Sequence, residues 1–153
     1  MTSTTSVVGN FADRAYAYEN SGQKYAFVEL VADGNIVAAV TGQKIRLLSM
    51  VIYSPDADEL TAVQLTSDDA TGAKLSPSFE VGSLLTSDPD GMGDSERGFV
   101  MQPMVLPFNQ AGWCETVEGE ALFANLLGPG GTGTPTPDAP GVQIMVTYDE
   151  TAP

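Results

Sequence analysis

The sequence predicts an all-β fold of antiparallel strands, arranged as a sandwich or a barrel. Short runs of β-branched and aromatic residues alternate with turns rich in glycine, proline and aspartate. No segment sustains the 3.6-residue periodicity of a long amphipathic helix. The 153 residues are 42% hydrophobic, which suffices for one folded core. We therefore expect one domain of roughly seven to nine strands, in either an immunoglobulin-like or a jelly-roll order.

The first two strands are predicted to form a hairpin. The run 25–31 is β-branched and aromatic, and the turn signal Asp33-Gly34-Asn35 follows it. The run 36–40 would then be the return strand of that hairpin.

The run from Lys44 to Tyr53 is the clearest strand of the sequence. Regular alternation places the odd-numbered residues from Ile45 to Tyr53 on one face and the even-numbered residues from Arg46 to Ile52 on the other. Both sets are largely apolar, so we expect a central strand that is covered on both sides.

The rest of the domain is predicted to contribute shorter strands. Pro103 interrupts one run, which indicates an edge strand or a bulge. The run 120–127 has helical propensity, but its short length between turn signals favours a strand. A turn is predicted at 67–72. The remaining predicted strands are 60–66, 79–85, 99–106, 120–127 and 142–148.

Residues 1–23 are expected to form an extended N-terminal arm that precedes the β-sandwich domain, residues 24–153. The arm is small and polar except for an aromatic patch, and the alternative is a frayed terminus. Within the domain, residues 128–141 form a Gly/Pro/Thr-rich loop. The arm residues predicted to contact a partner are Arg14, Tyr16 and Tyr18.

The composition excludes several kinds of chemistry. Twenty acidic and six basic residues give a formal net charge of −14, which opposes direct binding to nucleic acid or to an anionic membrane. The absence of histidine excludes a Ser–His–Asp triad and histidine metal ligands. A single cysteine, Cys114, excludes an intrachain disulfide. We expect no enzymatic activity, and synthesis in the cytosol because the N-terminus lacks the pattern of a secretory signal.

An acidic loop at residues 87–98 is the best candidate for a metal site, and calcium is the one cofactor considered. Calcium prefers several oxygen ligands from a flexible loop, and alternating acids supply them. A methionine and a phenylalanine occupy two positions where an EF-hand loop has ligands, so a solvated turn is the alternative. Acids at 56–59 and 68–69 are weaker candidates. The predicted calcium ligands are Asp88, Asp90, Asp94 and Glu96.

The aromatic side chains allow two interpretations. Phe108, Trp113, Phe123 and Tyr148 could form a surface that stacks on carbohydrate, but we predict that they belong to the core. Cys114 is predicted to be a packed thiol, because no neighbouring residue in the sequence supplies the cation that activates one.

The last third of the chain carries a characteristic succession of motifs. The segment 101–107 leads into Ala111-Gly-Trp113, then into Glu115-Thr-Val-Glu-Gly-Glu-Ala-Leu122, and Val142-Gln-Ile-Met-Val-Thr-Tyr148 ends the pattern. Together with the strand at 43–53, this resembles the small β-sandwich virion proteins of tailed bacteriophages. The resemblance covers about residues 40–149, and the loops at 87–98 and 128–141 stand as insertions.

This resemblance implies a non-enzymatic virion protein with a jelly-roll-like sandwich. Such proteins are often capsid decoration (cement) proteins, which sit as homotrimers on the exterior of the head and contact the major capsid protein. Others are head-fibre or tail components, which implies the alternative of a carbohydrate- or receptor-binding module. The resemblance carries over no catalytic residue, and it implies that residues 112–113 and 119–122 serve turns and core packing.

Overall fold

The computed structural model describes residues 22–54, 60–84, 99–100, 103–128, 131, 133, 135 and 141–153. No α-helix occurs in these ranges, and no helix there is long and apolar enough to cross a membrane. The strands are β1 (Lys24–Leu30), β2 (Gly34–Val37), β3 (Lys44–Tyr53), β4 (Leu60–Ser67), β5 (Lys74–Leu84), β6 (Phe99–Val100), β7 (Met104–Leu106), β8 (Cys114–Glu115), β9 (Leu122–Leu127) and β10 (Val142–Thr151).

The strands form two antiparallel sheets, which confirms the predicted all-β sandwich. Sheet A has the order β1-β10-β3-β7, with β8 also paired to β3, and sheet B has the order β2-β9-β4-β5-β6. The pairing is nested: β1 pairs with β10, β2 with β9, β3 with β7 and β4 with β5. A chain paired in this way is one long hairpin rolled into two sheets, which is a jelly-roll-like order. The structure thus decides between the two orders that the sequence left open.

The predicted hairpin of the first two strands is wrong. β1 belongs to sheet A, where all seven of its residues pair with β10, whereas β2 belongs to sheet B and pairs with β9. The turn signal after β1 therefore carries the chain from one sheet to the other. Asp33 fixes this corner, because its Oδ1 accepts the backbone N–H of Leu126 in β9 at 2.7 Å.

β3 has the predicted bounds, but its two faces differ from regular alternation. Ile45 and Leu47 are buried in the first half, Met50 and Ile52 in the second, so the buried parity changes along the strand. The change coincides with a β-bulge, because β10 pairs with Ser49 and then with Leu47 across adjacent residues. The extra residue of the bulge shifts the phase of the side chains.

Other strands are confirmed with shifted ends. β5 begins earlier than predicted, because a bulge opposite Leu65 admits Pro77, and the Ser76 Oγ accepts the Leu65 N–H at 2.9 Å. The predicted run 99–106 is divided between the sheets: β6 pairs with β5 in sheet B, and β7 pairs with β3 in sheet A. Pro103 lies between the two.

The core lies between the sheets and consists of the inward side chains of both. Alternate residues of β9 and β10 are fully buried or nearly so, as the period of a strand with one covered face requires. The largest fully buried side chains are Ile45, Leu47, Leu48, Met50, Ile52, Leu65, Leu122 and Ile144.

Two glycines with positive φ allow an experiment on how closely the backbone before β10 approaches the end of β1. Gly141, before β10, has φ +80°, and a Cβ there would stand 2.3 Å from the carbonyl oxygen of Leu30. Gly119 has φ +75°, and a Cβ there would meet no atom within 4 Å. Backbone strain alone should cost Gly119→Ala about 1–2 kcal/mol. Gly141→Ala should lose clearly more, because the clash with the backbone adds to the same strain. Urea unfolding followed by tryptophan fluorescence measures both losses, and equal losses would contradict the close approach to Leu30.

Candidate functional site

The outward face of sheet A is the most distinctive surface of the described residues. Strand register places Phe27 of β1 opposite Met145 of β10, Met145 opposite Val51 of β3, and Val51 opposite Val105 of β7. These four apolar residues therefore form one row across all four strands. Phe27 is 52% exposed, Met145 49% and Val105 56%.

Two neighbouring rows complete this outer face. Tyr25, which is 78% exposed, aligns with Thr147 and Ser49 on one side of the apolar row. On the other side Glu29 aligns with Gln143 and Tyr53. Beyond the bulge of β3, the surface changes to the ion pair of Arg46 with Glu115, whose Nε and Oε1 lie 2.6 Å apart. We define the outer face of sheet A by its ten outward residues: Tyr25, Phe27, Glu29, Ser49, Val51, Tyr53, Val105, Gln143, Met145 and Thr147.

The segment between β7 and β9 is held against the sandwich by hydrogen bonds to β3. The backbone N–H groups of Asn109 and Trp113 donate to the carbonyls of Leu48 and Leu47, each at 2.8 Å. The Trp113 Nε1 donates to the Pro107 carbonyl at 2.8 Å. Two of the motifs that carry the resemblance, 111–113 and most of 115–122, lie in this segment, and the N–H groups of Gly112 and Glu120 close its turns.

A group of hydrogen bonds made by Thr116 and Ser67, which we call the polar tie, joins this segment to both sheets. The Thr116 Oγ1 accepts the N–H of Ile45 in sheet A at 3.0 Å. The Ser67 Oγ, at the end of β4 in sheet B, accepts the Val117 N–H at 2.9 Å and donates to the Glu120 carboxylate. Gly119 takes a positive φ in the turn between them. The residues from Thr116 to Glu120 thus close one end of the sandwich.

The four aromatic residues do not form one stacking surface, and three of them do not lie in the core. Phe108 and Trp113 are 48% and 46% exposed, which corrects the prediction that they are buried. Tyr148 packs against the core from sheet A. Phe123 lies in sheet B between the buried Leu122 and Ala124, so it faces away from the core. Trp113 is exposed because the turn after Pro107 holds it at the rim of the sandwich.

Cys114 is a packed, half-buried thiol, as predicted. Burial raises the pKa of the Cys114 thiol to about 11, and the charge of Glu115 adds to the effect. The thiol is therefore protonated at neutral pH, and it lacks the thiolate character that nucleophilic chemistry requires. It borders an apolar cavity of about 260 Å³ that is also lined by Leu75, Phe79 and Trp113. Few polar groups are available there to orient a ligand.

Asp68 and Asp69 are turn residues in the structure. Asp68 adopts a φ of 77°, and the Asp69 Oδ1 accepts both the backbone N–H and the hydroxyl of Thr71 at 2.7 Å. The hydrogen bonds from Thr71 lower the pKa of the Asp69 carboxyl. Within the described ranges, no group of three or more acidic or cysteine side chains could hold a metal ion.

Several predicted site residues lie outside the described part of the chain. They are the calcium ligands Asp88, Asp90, Asp94 and Glu96 and the arm residues Arg14, Tyr16 and Tyr18. Their predicted roles remain predictions. The outer face of sheet A is a candidate surface that the sequence indicated only through β3, whose two apolar faces predict one face in the core and part of the other buried between subunits. The row across four strands appears only once the strand register is known.

Comparison with known proteins does not assign the chain to a family. No family model, no curated protein and no solved structure matches the chain.

Thr116, which belongs to the polar tie, and Thr66, which does not, provide a matched pair of substitutions. Thr116→Val keeps the shape of the side chain but leaves the buried Ile45 N–H without its acceptor, so it should lower the free energy of unfolding by about 1–3 kcal/mol. The Thr66 Oγ1 is also buried, but it has no hydrogen-bond partner among the described residues. Thr66→Val should therefore be neutral or stabilising. Urea unfolding of both variants measures the difference, and equal stabilities would show that the Thr116 hydroxyl contributes nothing.

Proposed function

We propose that the chain is a non-enzymatic structural protein of a tailed-bacteriophage virion, specifically a capsid decoration (cement) protein. It would be made in the host cytoplasm, assemble as a homotrimer and bind the major capsid protein on the exterior of the head. Its role would be mechanical: added contact area across capsomer junctions resists the pressure of packaged DNA. No nucleic acid, membrane or cofactor is required for this role.

The nested strand order carries the proposal. Jelly rolls occur in viral capsid and lectin domains, so the order agrees with the fold that the phage resemblance implies. A fold alone does not define a function. The second support is that the motif residues from Trp113 to Leu122 make turns and hydrogen bonds that hold their segment against both sheets. Such a role is what the resemblance implies for them.

A second candidate is a head-fibre or tail-associated module that binds carbohydrate or a receptor. The observation in its favour is the exposure of Phe108 and Trp113 within one short segment, since exposed aromatic rings can stack on sugars. The lectin use of jelly rolls also agrees with it.

Quantitative mass spectrometry of virions purified from the phage that encodes this chain tests the proposal. We expect many copies per head, and immunogold electron microscopy should place them on the capsid. Absence of the chain from assembled heads and tails would overturn the proposal. A few copies at the tail, together with glycan binding that Trp113→Ala abolishes, would favour the second candidate.

The charge of the chain predicts that its stability depends on salt. Like charges oppose compact and assembled states, and the screening length falls from about 8 Å at ~0.15 M ionic strength to about 3 Å at ~1 M. The melting temperature should therefore rise with sodium chloride, and a flat response would contradict the repulsion. Calcium chloride at matched ionic strength should raise it further only if the acidic loop binds the ion. In that case Asp90→Asn combined with Asp94→Asn should remove the additional rise.

A further inference from the structure

We propose that the outer face of sheet A is the surface through which this chain binds a second copy of itself. The inference does not rest on the proposed function: a face that binds the same face of a second copy gives a dimer, and the proposed homotrimer would need a further contact between different surfaces. It depends on three properties of the face: its continuous apolar row, its low charge, with Glu29 as the one charged residue among the ten, and its size.

The apolar row is continuous and rigidly held. Neighbouring strands lie about 4.8 Å apart, so the row from Phe27 to Val105 spans roughly 14 Å between its outermost strands. Tyr25 and Tyr53 flank it on the adjacent rows. Aromatic residues and methionine are enriched at protein interfaces. Because the sheet already fixes the backbone of these residues, little ordering is required on binding.

The distribution of charge favours a second copy over a partner of opposite charge. Only one of the twenty acidic residues of the chain, Glu29, is among the ten residues of the outer face, and none of the six basic residues is. A basic partner would be drawn to acidic surface elsewhere on the chain. Two copies of net charge −14 repel each other, and they meet with the fewest like-charge contacts where charges are lacking. The face thus offers what self-association of an acidic chain requires.

The size of the face predicts weak association. Four strands about 4.8 Å apart and three rows about 6.7 Å apart give a footprint of roughly 400 Å². A stable complex typically buries about 800 Å² on each partner. Association should therefore depend on concentration. It should strengthen with salt and be completed where copies are held close together, as on the surface of a shell.

Sedimentation velocity of the full chain tests this, from low micromolar to near millimolar concentration, at ~0.15 M and ~1 M sodium chloride. We expect self-association that tightens with salt. Phe27→Glu combined with Met145→Glu should weaken it at least tenfold. Val117→Glu is the matched control, because Val117 is 49% exposed, as Met145 is, but lies outside sheet A. Its association should remain close to that of the wild type.

Two further experiments, with three additional variants, keep the test decisive. Phe27→Asn with Met145→Gln introduces no charge and should weaken association even if the glutamate variant folds poorly. Met145→Lys should associate with Met145→Glu more tightly than either variant associates with itself, because opposite charges then meet across the interface.

Two results would overturn the inference. The first is a wild type that stays monomeric at the highest concentration and salt. The second is a Phe27 and Met145 variant that associates as the wild type does. If the first result is found, self-association of a chain truncated to residues 22–153 would identify the N-terminal segment as what covers the face. Self-association of a chain that is absent from virions would contradict the proposed function alone. Virion binding by a chain that does not self-associate would contradict this inference and the homotrimer, but it would leave the virion role intact.

Discussion

The sandwich depends on β3, whose backbone must pair along both edges while its side chains fill the core. β10 pairs along one edge over nearly its whole length, and β7 and β8 share the other. Ile45, Leu47, Met50 and Ile52 are all buried between the sheets. No other described strand has three pairing partners. A polar substitution inside β3 would therefore disturb both the sheet and the core.

The bulge in β3 explains how one strand serves two different neighbours on its second edge. On one side of the bulge β3 pairs with β7, and on the other side it pairs with β8. Between them the carbonyls of Leu47 and Leu48 accept N–H groups from Trp113 and Asn109. The segment from Pro107 to Trp113 can therefore leave the sheet at this point without leaving the buried carbonyls of Leu47 and Leu48 unpaired. The same geometry places Trp113 at the rim, where it is half-exposed.

Local patterns predicted which segments are strands, and they did so because the strands of this chain carry apolar side chains at most buried positions. The bounds of β3 follow from a long apolar run that ends at Ser54-Pro55. Pairing was not predictable in the same way. Asp33-Gly34 signals a turn in any topology, but only the distant partners β10 and β9 decide that this turn joins two sheets.

The sequence indicated only the β3 part of the candidate surface, and its other strands could not be placed beside β3 for a related reason. Phe27, Val51, Val105 and Met145 come from four separate segments, and nothing local in the sequence aligns them. A one-residue change of register in any of these strands would turn its side chain to the core. The exposure of Trp113 was missed because aromatic residues are usually buried, whereas its position is set by hydrogen bonds to β3.

The two opposing features of the molecule, its net charge and its weakly charged sheet face, are best understood together. A charge of −14 keeps copies apart in dilute solution by repulsion between most parts of their surfaces. An apolar face with so little charge would, on a neutral protein, promote association with many partners. On this chain the repulsion favours the orientation in which the weakly charged faces meet. Charge therefore adds specificity to an interface whose attraction is hydrophobic, and the register of sheet A, set by β3 and its bulge, decides which residues that interface contains.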